Sequence, residues 1–265
     1  MPINDLVTVT KDRPPIITIA GEMGMGKTSI PWPKPIFICT EDGLQSIPQE
    51  IRPPSFPQVK TVGDMVKYLS MLIDEQHEYE TLVIDTISRL DNLFIEHVIN
   101  NDKNQPKSIN QALGGYGNGP QAVAALHWRI NKACKILNEQ KNMTIVFLSH
   151  AETETIELPD TDPYMRYTLR LGRKSIPPYA DDVDLVGMLR QKVFINGVEK
   201  GKKGELLKAG KAISSDERIL SCSANAASYC KNRYGIETDL KVEKGTNPLL
   251  GMIPYFKQTG ANNNE

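Results

Sequence analysis

Five short apolar runs mark the first 190 residues: Ile16–Ala20, Ile36–Cys39, Thr81–Ile84, Thr144–Leu148 and Val183–Leu189. Each is rich in Ile, Val or Leu and lacks the polar alternation of a half-exposed strand. That pattern predicts strands covered on both faces. Between them, apolar positions recur at helical spacing over Val62–Glu78, Ser88–Asn100 and Gln121–Lys141. The third segment lines up Ala122, Ala125, Leu126, Ile130, Cys134 and Leu137 on one stripe, with Trp128 beside it. Strands alternating with helices predict an α/β fold with a mainly parallel central sheet. Gln105–Pro120 reads as a loop, because the run from Gly114 to Pro120 is too glycine-rich for a regular element. Beyond Leu189 the pattern changes. Val193–Ile195, Gly204–Leu207 and Arg218–Ser221 read as antiparallel strands around polar turns. The chain thus divides into a core over 1–190, a small antiparallel extension over 191–258 and a disordered tail over 259–265.

Composition narrows the function classes. The 265 residues are 40% apolar and 24% charged, which is ordinary for a globular chain. Lys and Arg number 31 against 32 Asp and Glu, so any nucleic-acid site must be a local patch rather than a basic coat. No apolar run is long enough to span a membrane. The start of the chain lacks a basic segment followed by an apolar core and a small-residue cleavage site. These features predict a cytoplasmic protein without a membrane partner. Cys39, Cys134, Cys222 and Cys230 form no CxxC pair and no metal spacing with His77, His97, His127 or His150. They read as free thiols.

The sharpest signal is Gly21-Glu22-Met23-Gly24-Met25-Gly26-Lys27-Thr28, followed by Ser29. It fits G-x-x-x-x-G-K-S/T directly after an apolar run. Glycines let backbone N–H groups converge on phosphate oxygens. Lys27 is a point charge for the β- and γ-phosphates, and the Thr28 hydroxyl is a candidate Mg²⁺ ligand. Pro31, Pro33 and Pro35 follow closely, so the helix after this loop is expected to be no more than a turn, with Trp32 packed beside it. Thr81–Ile84 ends in Asp85, a candidate to hold Mg²⁺ through water, with Thr86 or Ser88 assisting. Phe37–Thr40 ends in Glu41 and Asp42. Glu41 is the candidate carboxylate for positioning an attacking water, and Asp42 the reserve. Val146–Leu148 presents Ser149 and His150 at its end, where His150 is a candidate γ-phosphate contact.

These four elements, in this order, resemble the RecA-like P-loop ATPase core. Lys231-Asn232-Arg233-Tyr234-Gly235 is similar to the lysine–asparagine–arginine–aromatic–glycine motif of RadA/Sms, and less closely to the C-terminal basic motif of DnaB-type helicases. The broadest likeness, from Gly21 to about Gly235, is to small phage-encoded RecA-like ATP-binding proteins, some of the single-strand annealing recombinase type. The resemblance implies ATP and Mg²⁺ as cofactors, with hydrolysis to ADP. It makes Lys27, Glu41 and His150 catalytic in the chain's own site. Lys231 and Arg233 become fingers that reach a neighbour's nucleotide in a homo-oligomeric ring or filament. It also implies action on single-stranded DNA in recombination, annealing or repair in a bacterial host cytoplasm, beside a cognate single-strand-binding protein.

Single-strand binding asks for cations with aromatic platforms. Lys103, Lys107 and Tyr116 lie in or near the glycine loop; Tyr164, Arg166, Tyr167, Arg170, Arg173, Lys174 and Tyr179 lie beyond His150. Tyr116, Arg170, Arg173 and Lys174 are the candidates carried forward. The lysines between Lys200 and Lys211 are a third basic stretch, equally readable as a solvated guard on a strand edge. Two other readings fit the residues: a nucleotide-dependent assembly switch with a protein partner and slow or no hydrolysis, and a small-molecule kinase with an arginine lid.

Overall fold

The computed structural model describes residues 12–196, 199–200, 206–208 and 211–260. Along the chain come β1 (Ile16–Gly21), β2 (Pro35–Cys39), α1 (Val62–Asp74), β3 (Thr81–Asp85), α2 (Ile87–Asn100), α3 (Asn118–Gln140), β4 (Thr144–Ile156), β5 (Tyr164–Leu169) and α4 (Pro177–Ala180). Then follow β6 (Leu185–Asn196), β7 (Glu199–Lys200), β8 (Leu206–Lys208), β9 (Lys211–Ser221), β10 (Lys231–Asn232), β11 (Leu240–Lys241), α5 (Leu249–Met252) and α6 (Pro254–Thr259).

The main sheet runs β11-β9-β6-β1-β4-β3-β2, with β10 beside β6 and β5 beside β4. Its centre, β6-β1-β4-β3-β2, is parallel throughout. The flanking pairs β4–β5, β6–β9, β6–β10 and β9–β11 are antiparallel. This is the expected α/β architecture with a mainly parallel sheet and antiparallel additions. Successive side chains along a strand point to opposite faces. Leu82 and Ile84 of β3, and Ile145 and Phe147 of β4, therefore join one core with Met65, Leu69, Phe94 and Ile130 of α1, α2 and α3. Val83, Val146 and Leu148 join a second core with Ile17, Ile19, Trp32, Leu249, Ile253 and Phe256. All three long helices cover the first face. Coil after β1 and the C-terminal segments cover the second, where Trp32 meets Phe256 at 6.3 Å between ring centroids.

Element ends depart from the sequence reading for identifiable reasons. Helix α1 opens on a Thr61–Asp64 capping box and stops at Asp74, four residues early, where Glu75 turns extended. Helix α3 begins at Asn118 because Gly117 takes a left-handed conformation just before it. Strands β4 and β6 run beyond the parallel core and pair outward with β5 and β9, so Val193–Ile195 and Arg218–Ser221 are the ends of long strands. No helix follows the glycine loop. Only Ser29 N–H to Gly26 O (3.2 Å) and Ile30 N–H to Lys27 O (3.3 Å) form turns before the prolines take over. Most of the lysine-rich stretch near 200–211, part of the strand expected at Gly204–Leu207 and the tail from 261 on lie outside the described residues. Among those described, the four cysteines are free and buried, and no helix is long and apolar enough to cross a membrane.

Candidate functional site

The parallel strands β1, β2 and β3 end on the same edge of the sheet, and β4 crosses that edge at His150 before running on to Ile156, which brings Gly21, Cys39, Asp85 and His150 to one crevice. The glycine loop leaves β1 there. Gly24 and Gly26 hold φ of 77° and 78°, values that favour glycine over any residue with a Cβ. Lys27 is buried, and its Nζ donates to Gly21 O (2.7 Å) and Glu22 O (2.9 Å). Burial brings its ammonium down to about 8, against the attraction of Asp85 and Glu41.

Thr28 Oγ1 donates to Asp85 Oδ2 at 2.7 Å, so the loop closes directly onto the end of β3. Burial pushes the Asp85 carboxyl above its ordinary range, with the Thr28 bond opposing that rise. A hydroxyl and a buried carboxylate brought together this way are the donor set Mg²⁺ takes, and they fit the ion.

Glu41 stands beside them. Its Oε1 accepts from Thr86 Oγ1 (2.8 Å) and from His150 Nε2 (3.0 Å). The His150 bond is the largest cause holding the Glu41 carboxyl down at about 2; burial opposes it and the Thr86 bond assists it. A carboxylate only accepts, so the geometry assigns the imidazole proton to Nε2. Nδ1 of His150 is buried without a partner among the described residues. β4 is pinned at this point by His150 N–H to Ser88 Oγ (2.9 Å), and Ser88 meets Ser149 at 3.1 Å. Lys27, Thr28, Glu41, Asp85 and His150 thus converge, with Thr86 and Ser88 as supports. Asp42 is exposed, and no hydrogen bond ties it to them.

The candidate DNA residues form a neighbouring group. Leu113 to Gly117 all carry positive φ, which holds Tyr116 out fully exposed. Lys174 Nζ donates to Gly117 O at 3.3 Å, so the loop before α3 and the turn carrying Arg173 and Lys174 meet. Arg170 lies closer to the phosphate loop than the sequence implied: its charge lowers both Lys27 and Glu41. Its N–H donates to His150 O at 2.9 Å. Behind it, Asp91 accepts from His127 Nε2 (2.9 Å) and Gly172 N–H (3.1 Å), and His127 Nδ1 meets the Tyr179 hydroxyl at 2.8 Å. Tyr179, a candidate base platform by sequence, is fully buried in this network and cannot serve as one.

Lys231 and Arg233 are not brought to their own chain's loop. Lys231 pairs with Val186, which pairs with Thr18, three residues before Gly21. Arg233 N–H donates to Asp184 O, and Asp184 N–H to Ile16 O. At ~3.3 Å per residue, these backbones sit about 10 and 17 Å back along the sheet from Gly21. Arg233 is exposed and pairs with Asp184 (3.1 Å), which also holds Arg13 (2.6 Å); Lys231 Nζ donates to Asp181 O.

One site neighbour had no signal in the sequence. Arg218 Nη1, from β9, donates to Met25 O at 3.0 Å across 193 positions of chain. A family model described as an AAA domain matches residues 13–234. No curated protein matches the chain.

Proposed function

Because the chain belongs to the AAA domain family, it carries a nucleotide-binding P-loop ATPase domain, and we propose that Gly21–Ser29 cradles ATP. Bond Thr28–Asp85 carries the proposal: it joins the loop to a buried carboxylate beside Glu41. Thr28 and Asp85 would hold Mg²⁺, which supplies charge neutralisation on the phosphates. Lys27 exchanges Gly21 O and Glu22 O for the β- and γ-phosphate oxygens. Glu41, oriented by Thr86 and His150, positions a water for in-line attack on the γ-phosphorus and takes up its proton. The bond to the bridging oxygen breaks and ADP leaves. His150, bonded to Glu41, contacts the γ-phosphate in this reading. Lys231 and Arg233, remote from their own loop and partly exposed, act on a neighbouring subunit's phosphates in a homo-oligomer.

The exposed Tyr116 beside Arg173 and Lys174, with Arg170 leading back to His150, supports single-stranded DNA as the partner, in recombination, annealing or repair. A phage setting and a cognate single-strand-binding protein belong to the same reading. The test is ATP turnover with and without an oligonucleotide. Lys27→Ala abolishes turnover, and Arg170→Ala with Arg173→Ala weakens DNA binding and flattens its salt dependence. DNA affinity unchanged in the double variant would sink the partner assignment. One observation favours a second reading, a nucleotide-dependent assembly switch with slow hydrolysis: both donors hold the same Glu41 oxygen. Nucleotide-dependent mass in light scattering without any DNA effect on turnover supports that alternative.

A further inference from the structure

A phosphate loop ordinarily opens a helix whose first turn adds about half a positive charge to the anion site. This one does not. After Lys27 the backbone makes two turns and then passes into coil through Pro31, Pro33 and Pro35. The anion site lacks that dipole, and the loop lacks the helix that would fix it.

Arg218 brings a cation to the loop from β9. Its strand is held firmly: Arg218 is opposite Gln191 on β6, Val242 N–H donates to Arg218 O at 2.9 Å, and Ile219 and Leu220 are buried behind it. The guanidinium donates to Met25 O and lies so close to Gly26 that a methyl group there would collide with Nη1. Bonding a carbonyl leaves the loop's N–H groups for phosphate. A guanidinium has five donors, and among the described residues Met25 O is the acceptor recorded for it. The half-buried cation therefore keeps donors and a full charge beside the loop.

We propose that Arg218 is a positioning residue of the nucleotide site, acting within its own chain: it fixes the phosphate loop at Met25–Gly26 and supplies the positive charge that a following helix would otherwise give. The proposal rests on Gly21–Thr28 being the nucleotide loop. The full chain would be titrated with a fluorescent ADP at low and moderate salt, as wild type, Arg218→Met, Arg218→Lys and Lys27→Ala, with melting temperatures measured without nucleotide. Arg218→Met keeps the apolar stem and loses the charge. It is expected to weaken ADP at least tenfold and to reduce the salt dependence of binding, while Arg218→Lys recovers most of the affinity. A residue that only braced the fold would shift the melting temperature and leave the salt dependence alone; that result overturns the proposal, as does unchanged affinity in Arg218→Met. Wild-type binding that Lys27→Ala destroys and Arg218→Met preserves refutes the arginine's role alone. No binding by wild type refutes the loop reading as well.

Discussion

Raising the pH from about 7.5 to about 9 takes Lys27 through its titration in the free protein, because burial sets its ammonium at about 8. Bound phosphates reverse the cause. They replace two carbonyl dipoles with formal negative charge, so the lysine in the complex stays protonated well above this range. Nucleotide must then recruit a proton at the higher pH. With a value near 8, about a quarter of free Lys27 is neutral at pH ~7.5 and about nine tenths at pH ~9. The apparent dissociation constant of ADP rises by the ratio of the two binding polynomials, about eightfold, and proton uptake approaches about 0.9 per nucleotide. Calorimetry with ADP and Mg²⁺ in two buffers of different ionisation enthalpy reads both quantities. Lys27→Arg, which does not titrate, is expected to flatten the profile. A constant affinity across this range, or the same slope in Lys27→Arg, would refute the reasoning.

Four further outcomes are expected. Glu41→Gln keeps the hydrogen-bonding shape beside Thr86 and His150 but loses the base, so turnover drops by about 10² or more while ADP affinity holds; equal losses in both would mean the residue serves binding. Asp91→Ala strips the buried acceptor from His127 and Gly172, and urea unfolding should register a loss of at least about 2 kcal/mol. The same network makes stability fall with acid. Burial lowers His127, so the unfolded chain takes a proton below about 6.5 that the folded one refuses. Burial tends to raise Asp91, but the His127 and Gly172 bonds hold it net low, so its contribution is lost further down; a flat melting profile from pH ~7 to ~4 contradicts this. Lastly, Lys27→Ala and Arg233→Ala, each inactive alone, should regain turnover when mixed, and failure to complement argues against a finger in trans.

The parallel core was legible because its strands are apolar on both faces: Thr144–Leu148 needs no partner to be recognised. The phosphate loop was legible because its chemistry is local. What escaped depends on register between distant segments. Glu41, Thr86 and His150 could each be assigned to a strand end, but their mutual hydrogen bonds follow only from the order β1-β4-β3-β2. Arg218 looks like any strand arginine until β6 and β9 align and carry it to Met25. The second face of the sheet was also hidden. Leu249, Ile253 and Phe256 lie in short apolar stretches whose importance comes from the missing helix beside Trp32. Tyr179 misled because an aromatic beside cations reads alike whether it stacks on a base or fills a core.

Lys231 and Arg233 lie toward the end of the sheet where the parallel strands begin, and the phosphate loop leaves the end where they finish. A subunit that lends these cations to another therefore sets its head against its neighbour's tail. Such a contact can be mutual across a twofold axis, each subunit lending to the other, or it can run on, each new subunit consuming one end and exposing another. A run of that kind closes only when the turn from one subunit to the next divides a full circle, and otherwise it climbs as a helix. The end subunit of an open array keeps a loop with no donor facing it, which makes the turnover of each site depend on its place in the line.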